Sequence, residues 1–169
     1  DRSVSRGLGD VYKRQKLQRI EFPLSDVAEE MAQSFAAPAQ SQDKELTVTV
    51  QPMLSCTGDE KAIRQLISIL LDNALKYSPA GGQLALRLEK QGRTLLLMVS
   101  NTTQQPIARE QLAHLFDRFY RTDQSRNSQT GGYGLGLSIA KSIVLSHKGK
   151  IRAESPDGTC LSIVVNLPA

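Results

Sequence analysis

The stretch from about Asp59 to Tyr77 limits the possible folds more than any other. Ile63, Leu66, Ile67, Leu70, Leu71 and Ala74 recur there at helical spacing, so the segment predicts a long helix that lays an apolar stripe on a broad surface. Pro79-Ala80-Gly81-Gly82 ends it. The polar side is patterned too: Asn73, Lys76 and Tyr77 fall at i, i+3 and i+4, which puts an amide, an ammonium and an aromatic ring on one face.

Strand patterns on both sides of that helix supply the surface. Leu84, Leu86 and Leu88 alternate with Ala85, Arg87 and Glu89, and Gly92 leads into Leu95-Leu96-Leu97-Met98-Val99, so these read as adjacent central strands. Leu46-Thr47-Val48-Thr49-Val50 alternates as a strand closed by Pro52, and a short strand fits Leu54 to Thr57. Toward the C-terminus, a helix from about Leu137 to Ser146 stops at Gly149, with His147 read as a capping residue at its end. Ile151–Ser155 and Thr159–Leu167 then form a hairpin around Pro156-Asp157-Gly158. Near the N-terminus, Ser25 is a plausible N-cap for a helix carrying Val27, Ala28, Met31 and Phe35 and ending near Pro38. The order of helix, strands, helix, strands, helix, strands suits an α/β two-layer sandwich, with helices on one face of a mixed β-sheet. No internal repeat or low-complexity segment interrupts it.

A chain of 169 residues fits one domain with a real core, and its 40% apolar and 22% charged residues are ordinary for a globular protein. No apolar run approaches the roughly 18 residues of a membrane span. The formal charge of +4 does not point to nucleic acid, because half of the excess lies in residues 1–15. The run from Ser5 to Gln15 also looks like a translated sequencing adapter, so residues 1–15 read as a non-native or linker segment, residues 16–169 as the domain, and the natural protein as continuing upstream of Lys16. Cys56 and Cys160 lack metal-ligand spacing and read as reduced structural thiols of a cytosolic domain.

The chemistry gathers in four places. An amide oxygen at Asn73 suits Mg²⁺, a hard cation that shares its ligands with substrate phosphates; Lys76 one turn on can neutralise phosphate, and Tyr77 can lie against a base. Gly131-Gly132-Tyr133-Gly134-Leu135-Gly136-Leu137 is a glycine-rich loop feeding a helix, where free N–H groups and the helix dipole favour phosphate. Between these lies a long polar, glycine-rich connection, 101–136, interrupted by an apolar cluster of Leu112, Leu115, Phe116 and Phe119; so long and irregular a connection is usually functional. Arg121 in that connection can reach a phosphate, with Arg118 behind it as a salt-bridge partner. The fourth place is Asn101, at the start of that connection.

Together these runs resemble the N, F and G2 boxes of the catalytic ATP-binding domain of sensor histidine kinases. Asn73 to Tyr77 reproduce Asn-Ala-x-Lys-Tyr, Phe116 to Arg121 stand for the F box, and Gly132, Gly134, Leu135, Gly136 and Leu137 match Gly-x-Gly-Leu-Gly-Leu. Resemblance covers about residues 20 to 168. It implies the fold shared by histidine kinases, gyrase B, Hsp90 and MutL, with an ATP lid, and Mg·ATP as the bound nucleotide. It further implies transfer of the γ-phosphoryl to a histidine on a separate dimerisation domain, with Arg121 and Lys76 acting on the phosphates, and relay to a response regulator. The full-length protein is expected to be a homodimer anchored in the bacterial inner membrane, with this domain cytoplasmic. An anti-sigma-factor serine kinase of the same fold and a non-catalytic ATP-binding regulatory module are the rival readings.

Two departures stand out. Many of these kinases carry a second Asn four residues before the first, and hydrolysing relatives such as gyrase B and MutL carry a water-activating Glu there; this chain has Ile69. That argues against a hydrolase and leaves Asn73 as the sole side-chain metal ligand from the helix. The family's G1 box, Asp-x-Gly-x-Gly-Ile, is degraded: Asn101 replaces the Asp, Thr103 and Gln105 replace the glycines, and Ile107 remains. Asn101 can still accept from an adenine amino group, without the Asp charge, and kinases resembling the metal-responsive branch also carry Asn here. Neither His114 nor His147 sits in the setting of the family's phosphoacceptor.

Overall fold

The computed structural model describes residues 19–117 and 136–169. The segments 1–18 and 118–135, which include the adapter-like run, Arg118, Phe119, Arg121, Gly132, Gly134 and Leu135, lie outside the described residues.

Leu24–Gln33 forms helix α1, Ala36–Ser41 the short α2, Glu60–Tyr77 the long α3, Arg109–His114 the short α4 and Gly136–Ser146 α5. The strands are β1 (Ile20–Pro23), β2 (Glu45–Val50), β3 (Ser55–Gly58), β4 (Gln83–Gln91), β5 (Thr94–Thr102), β6 (Lys150–Glu154) and β7 (Cys160–Pro168). Five of them make one sheet in the order β2-β4-β5-β7-β6. β2 runs parallel to β4 and every other pair in that sheet is antiparallel, so the sheet is mixed. A parallel pair needs a crossover, and β3 with α3 supplies it.

The alternation read from sequence decides which face the helices cover. Leu84, Leu86 and Leu88 of β4, Leu95, Leu97 and Val99 of β5, and Ile163, Val165 and Leu167 of β7 are buried in one core with Ile63, Leu66, Ile67, Leu70, Leu71 and Ala74 of α3. Val27 and Ala28 of α1 and Ala140 and Val144 of α5 complete it. The other face carries the Arg87–Glu89 and Arg152–Glu154 ion pairs. This is the two-layer α/β sandwich expected, and among the described residues no helix is long and apolar enough to cross a membrane.

Three local expectations are corrected, and one strand escaped the sequence reading. Ser25 is not the N-cap of α1; that place belongs to Pro23. Ser25 is instead buried, and its hydroxyl donates to the Gln51 carbonyl (2.6 Å) and accepts from the Leu54 N–H (2.9 Å), a tertiary tie that outweighs a local cap. The first helix ends at Gln33 rather than near Pro38, which sits in the first turn of α2, where a missing N–H costs nothing. Phe22 belongs to a strand: β1 pairs antiparallel with β3 in a small second sheet, putting Phe22 opposite Cys56, both buried. A four-residue strand holding a proline leaves almost no alternation to read. The short strand expected from Leu54 to Thr57 starts and ends one residue later.

Candidate nucleotide site

Asp59 caps α3 by accepting the Ala62 N–H (3.3 Å), and the apolar stripe then fixes how the helix rolls on the sheet. Asn73 and Tyr77 are left half-buried and Lys76 exposed along its C-terminal half. Lys76 Nζ lies 3.1 Å from Asp72 Oδ2, with both side chains substantially exposed. Such a pair contributes about 0–1 kcal/mol, so an arriving phosphate can draw the ammonium away at little cost. The end of the helix is closed from outside: Lys44 Nζ donates to the Leu75 carbonyl, and burial lowers the pKa of that ammonium. A cation there also complements the negative end of the helix dipole.

Beyond α3, Gly81 takes a left-handed φ of +80° and its N–H donates to the Asp43 carbonyl (2.8 Å). Gly82 has no room for a side chain, since a Cβ there would stand 2.5 Å from Thr102 Oγ1 and 2.7 Å from the Pro79 carbonyl oxygen. Thr102 Oγ1 accepts the Gln83 N–H (3.1 Å), so this turn is locked to the end of β5.

At that end of β5 lies Asn101, which continues the buried alternation of Leu95, Leu97 and Val99 and is 4% exposed. Its Nδ2 donates to the Thr102 carbonyl (2.8 Å), and its Oδ1 has no partner among the described residues. Thr103 N–H donates to the Thr159 carbonyl (3.0 Å), so the β5–β7 ladder runs one residue further, and Thr103 Oγ1 is likewise buried without a partner among the described residues. A buried, unmet group such as Thr103 Oγ1 costs free energy until something pairs with it. Ile107 is half-buried a few residues on.

Gly136 opens α5, and Leu137 packs against the core. A Cβ on Gly136 would stand 3.6 Å from Ile69 Cγ2. The glycine-fed helix start therefore lies against α3 four residues before Asn73, about 6 Å along the axis. Of the residues expected in the site, Asn73, Lys76, Tyr77, Asn101, Ile107, Gly136 and Leu137 lie in described segments, and Gly136 among them lies against the helix that carries Asn73. Arg118, Arg121, Gly132, Gly134 and Leu135 lie outside the described residues.

Sequence reasoning missed Lys44 and the lock between Gly82 and Thr102. Lys44 acts on a carbonyl 31 positions away and no spacing rule signals it; the double glycine after a helix was the one visible hint of the second. Among the described residues no group of three or more His, Cys, Asp or Glu converges as a metal cluster would. A small cavity lined by Arg19, Cys56, Thr57, His147 and Leu167 lies by the other end of α3, about 20 Å along the helix from Asn73.

The family model described as histidine kinase-, DNA gyrase B- and HSP90-like ATPase matches residues 58–169. The chain belongs to this ATPase family. Within it, the chain is 38% identical over 146 residues to the sensor histidine kinase CusS of Escherichia coli (strain K12), covering 86% of this chain and 30% of that protein. It is 34% identical over 141 residues to the sensor protein DltS of Streptococcus agalactiae serotype III (strain NEM316), covering 83% of this chain and 35% of the relative. Among solved structures it superposes on the mycobacterial sensor histidine kinase MprB with a TM-score of 0.78 and 27% identity, over 88% of this chain and 97% of that one. The chain spans about a third of the length of these curated relatives. As a member of the ATPase family it is an ATP-binding domain of the kind sensor histidine kinases carry.

Proposed function

We propose that this domain binds Mg·ATP between α3 and the start of α5 and passes the γ-phosphoryl to a histidine on a separate helical dimerisation domain of a longer, homodimeric sensor kinase, from which a response regulator takes it. The observation that carries the reading is the contact of Ile69 with Gly136, which brings the Asn73 face and the glycine-fed helix start together. In the bound state Asn73 would offer its amide oxygen to Mg²⁺, and the ion would neutralise phosphate charge. The donor set suits that ion: a neutral amide beside an Asp72–Lys76 pair leaves most coordination positions to water and phosphate oxygens.

The chain's own residues do the rest. Lys76 leaves Asp72 for a phosphate, the first turn of α5 presents its free backbone N–H groups with no side chain on Gly136 in the way, and Asn101 Oδ1 accepts from the amino group of the base. Arg121 and Arg118 would act on the γ-phosphate, Gly132, Gly134 and Leu135 would belong to the phosphate site, and Ile107 and Tyr77 would line the base. Ile69 cannot orient a water molecule, so hydrolysis goes unassisted. Like the relatives' sensor role, attachment to a membrane through upstream segments belongs to this reading.

The test adds the helical domain of a related sensor kinase in trans. With Mg·ATP labelled in the γ-phosphate, acid-labile phosphohistidine should appear on that added domain and none on this chain alone. Label on His114 or His147, or rapid phosphate release by the chain alone, would overturn the proposal.

A further inference from the structure

His147 does more than cap a helix. It is 3% exposed, and its ring bonds in two directions: Nδ1 donates to the Ile143 carbonyl one turn back in α5 (2.8 Å), while Nε2 accepts the Asp59 backbone N–H (3.0 Å) at the start of α3. Ser146 Oγ also stands 3.2 Å from Nδ1. The ring lies so close to Gly58 that a Cβ there would come within 2.4 Å of its Cδ2 and 2.6 Å of its Nε2.

This contact and the Ile69–Gly136 contact are two pegs between the same pair of helices. From Asp59 to Ile69 is ten residues and from Gly136 to His147 eleven, spans of about 15 and 16.5 Å that match only if α3 and α5 lie nearly antiparallel side by side. Asn73 projects one turn past the Gly136 peg. Between the pegs the contact is apolar, with Ala140, Ile143 and Val144 facing the core, and apolar packing is permissive about sliding along the axis. A hydrogen bond to a particular backbone N–H is not.

We propose that His147 is a positioning residue for the nucleotide site: by tying the last turn of α5 to the first turn of α3, it fixes where the start of α5 stands relative to Asn73. The inference rests on the nucleotide reading above. It acts at a distance through two rigid helices and touches no part of the ligand.

The experiment compares the parent chain with His147→Leu, His147→Gln and Gly58→Ala, each at a temperature where circular dichroism shows it fully folded. His147→Gln keeps an acceptor, Oε1, for the Asp59 N–H. Calorimetric titration with Mg·ATP should give His147→Leu and Gly58→Ala affinities about tenfold or more weaker, the loss expected when one hydrogen bond to a charged ligand group is broken, and His147→Gln should recover most of the loss. The nuclear Overhauser contact between the Ile69 Cγ2 methyl and the Gly136 Hα should fade in the two weak binders and return in His147→Gln. A merely structural histidine would lower the melting temperature and leave affinity in the folded state untouched. Parent-like affinity in folded His147→Leu or, should that variant not fold, in Gly58→Ala overturns the positioning role alone. A parent chain that binds no Mg·ATP overturns the nucleotide reading and this inference with it.

Discussion

At the scale of single residues, two departures from the family pattern acquire physical content. Ile69 is a packing residue, half-buried, with its Cγ2 methyl 3.6 Å from where a Cβ on Gly136 would stand, so an apolar side chain fills the position where the family pattern has Asn or Glu. Asn101 is the more exposed to test. Its Nδ2 is committed to the Thr102 carbonyl and its Oδ1 is unmet among the described residues, an orientation that only an amide provides. Asn101→Asp would set a carboxylate oxygen against that carbonyl and lose the bond, so the folded state should weaken by about 1 kcal/mol or more in urea denaturation. Its remaining oxygen is a charged acceptor, so ATP binding by the folded variant should be retained. Asn101→Leu should bind ATP more weakly and lose discrimination against GTP. Equal titration curves for all three proteins with both nucleotides would show that Asn101 does not read the base.

Among elements, α3, α5 and the β4–β5 and β6–β7 pairs were legible because each repeats one physical period over enough residues. The apolar stripe of Glu60–Tyr77 and the alternation through Leu84 to Val99 leave few alternatives. What escaped has a common cause. Ser25 looks like a cap until Gln51 and Leu54 arrive from elsewhere in the chain, and β1 is recognisable only beside β3. His147 read as a cap in sequence and is one, toward Ile143, but its second bond, to Asp59, spans 88 positions. The site was legible where it follows contiguous motifs, at Asn73–Tyr77 and Gly136–Leu137, and illegible where a distant residue supports it. Lys44 is the clearest case. Its ammonium caps the Leu75 carbonyl at the end of the site-bearing helix, with Ser78 Oγ, 3.3 Å away, as a weaker second donor. Lys44→Met should therefore cost about 1 kcal/mol in urea denaturation. It should also raise amide exchange in the last turn of α3. Unchanged exchange at Lys76 and Tyr77 would mean that Ser78 alone suffices.

For the whole molecule, the arrangement makes nucleotide binding and stability two views of one equilibrium. The site draws on α3, the end of β5 and the start of α5, which come together only in the folded domain, so a ligand held there cannot bind the unfolded chain. At a nucleotide concentration about a hundred times the dissociation constant, stability should rise by about 2.7 kcal/mol. For a domain of this size that moves the melting temperature up by roughly 5–10 °C. The Mg²⁺ dependence separates the two ligands of the site. On the proposed reading, ATP with excess chelator would keep the base at Asn101 and the phosphates near Lys76 and Gly136, and the metal would add a bond through Asn73. Parent chain should thus show a small shift with ATP and chelator and a larger one with Mg·ATP, while Asn73→Ala, unchanged in its own melting temperature, should show the same small shift in both. A full Mg²⁺-dependent shift in Asn73→Ala would assign the metal to other ligands, and no shift in the parent under any condition would remove the nucleotide from this site.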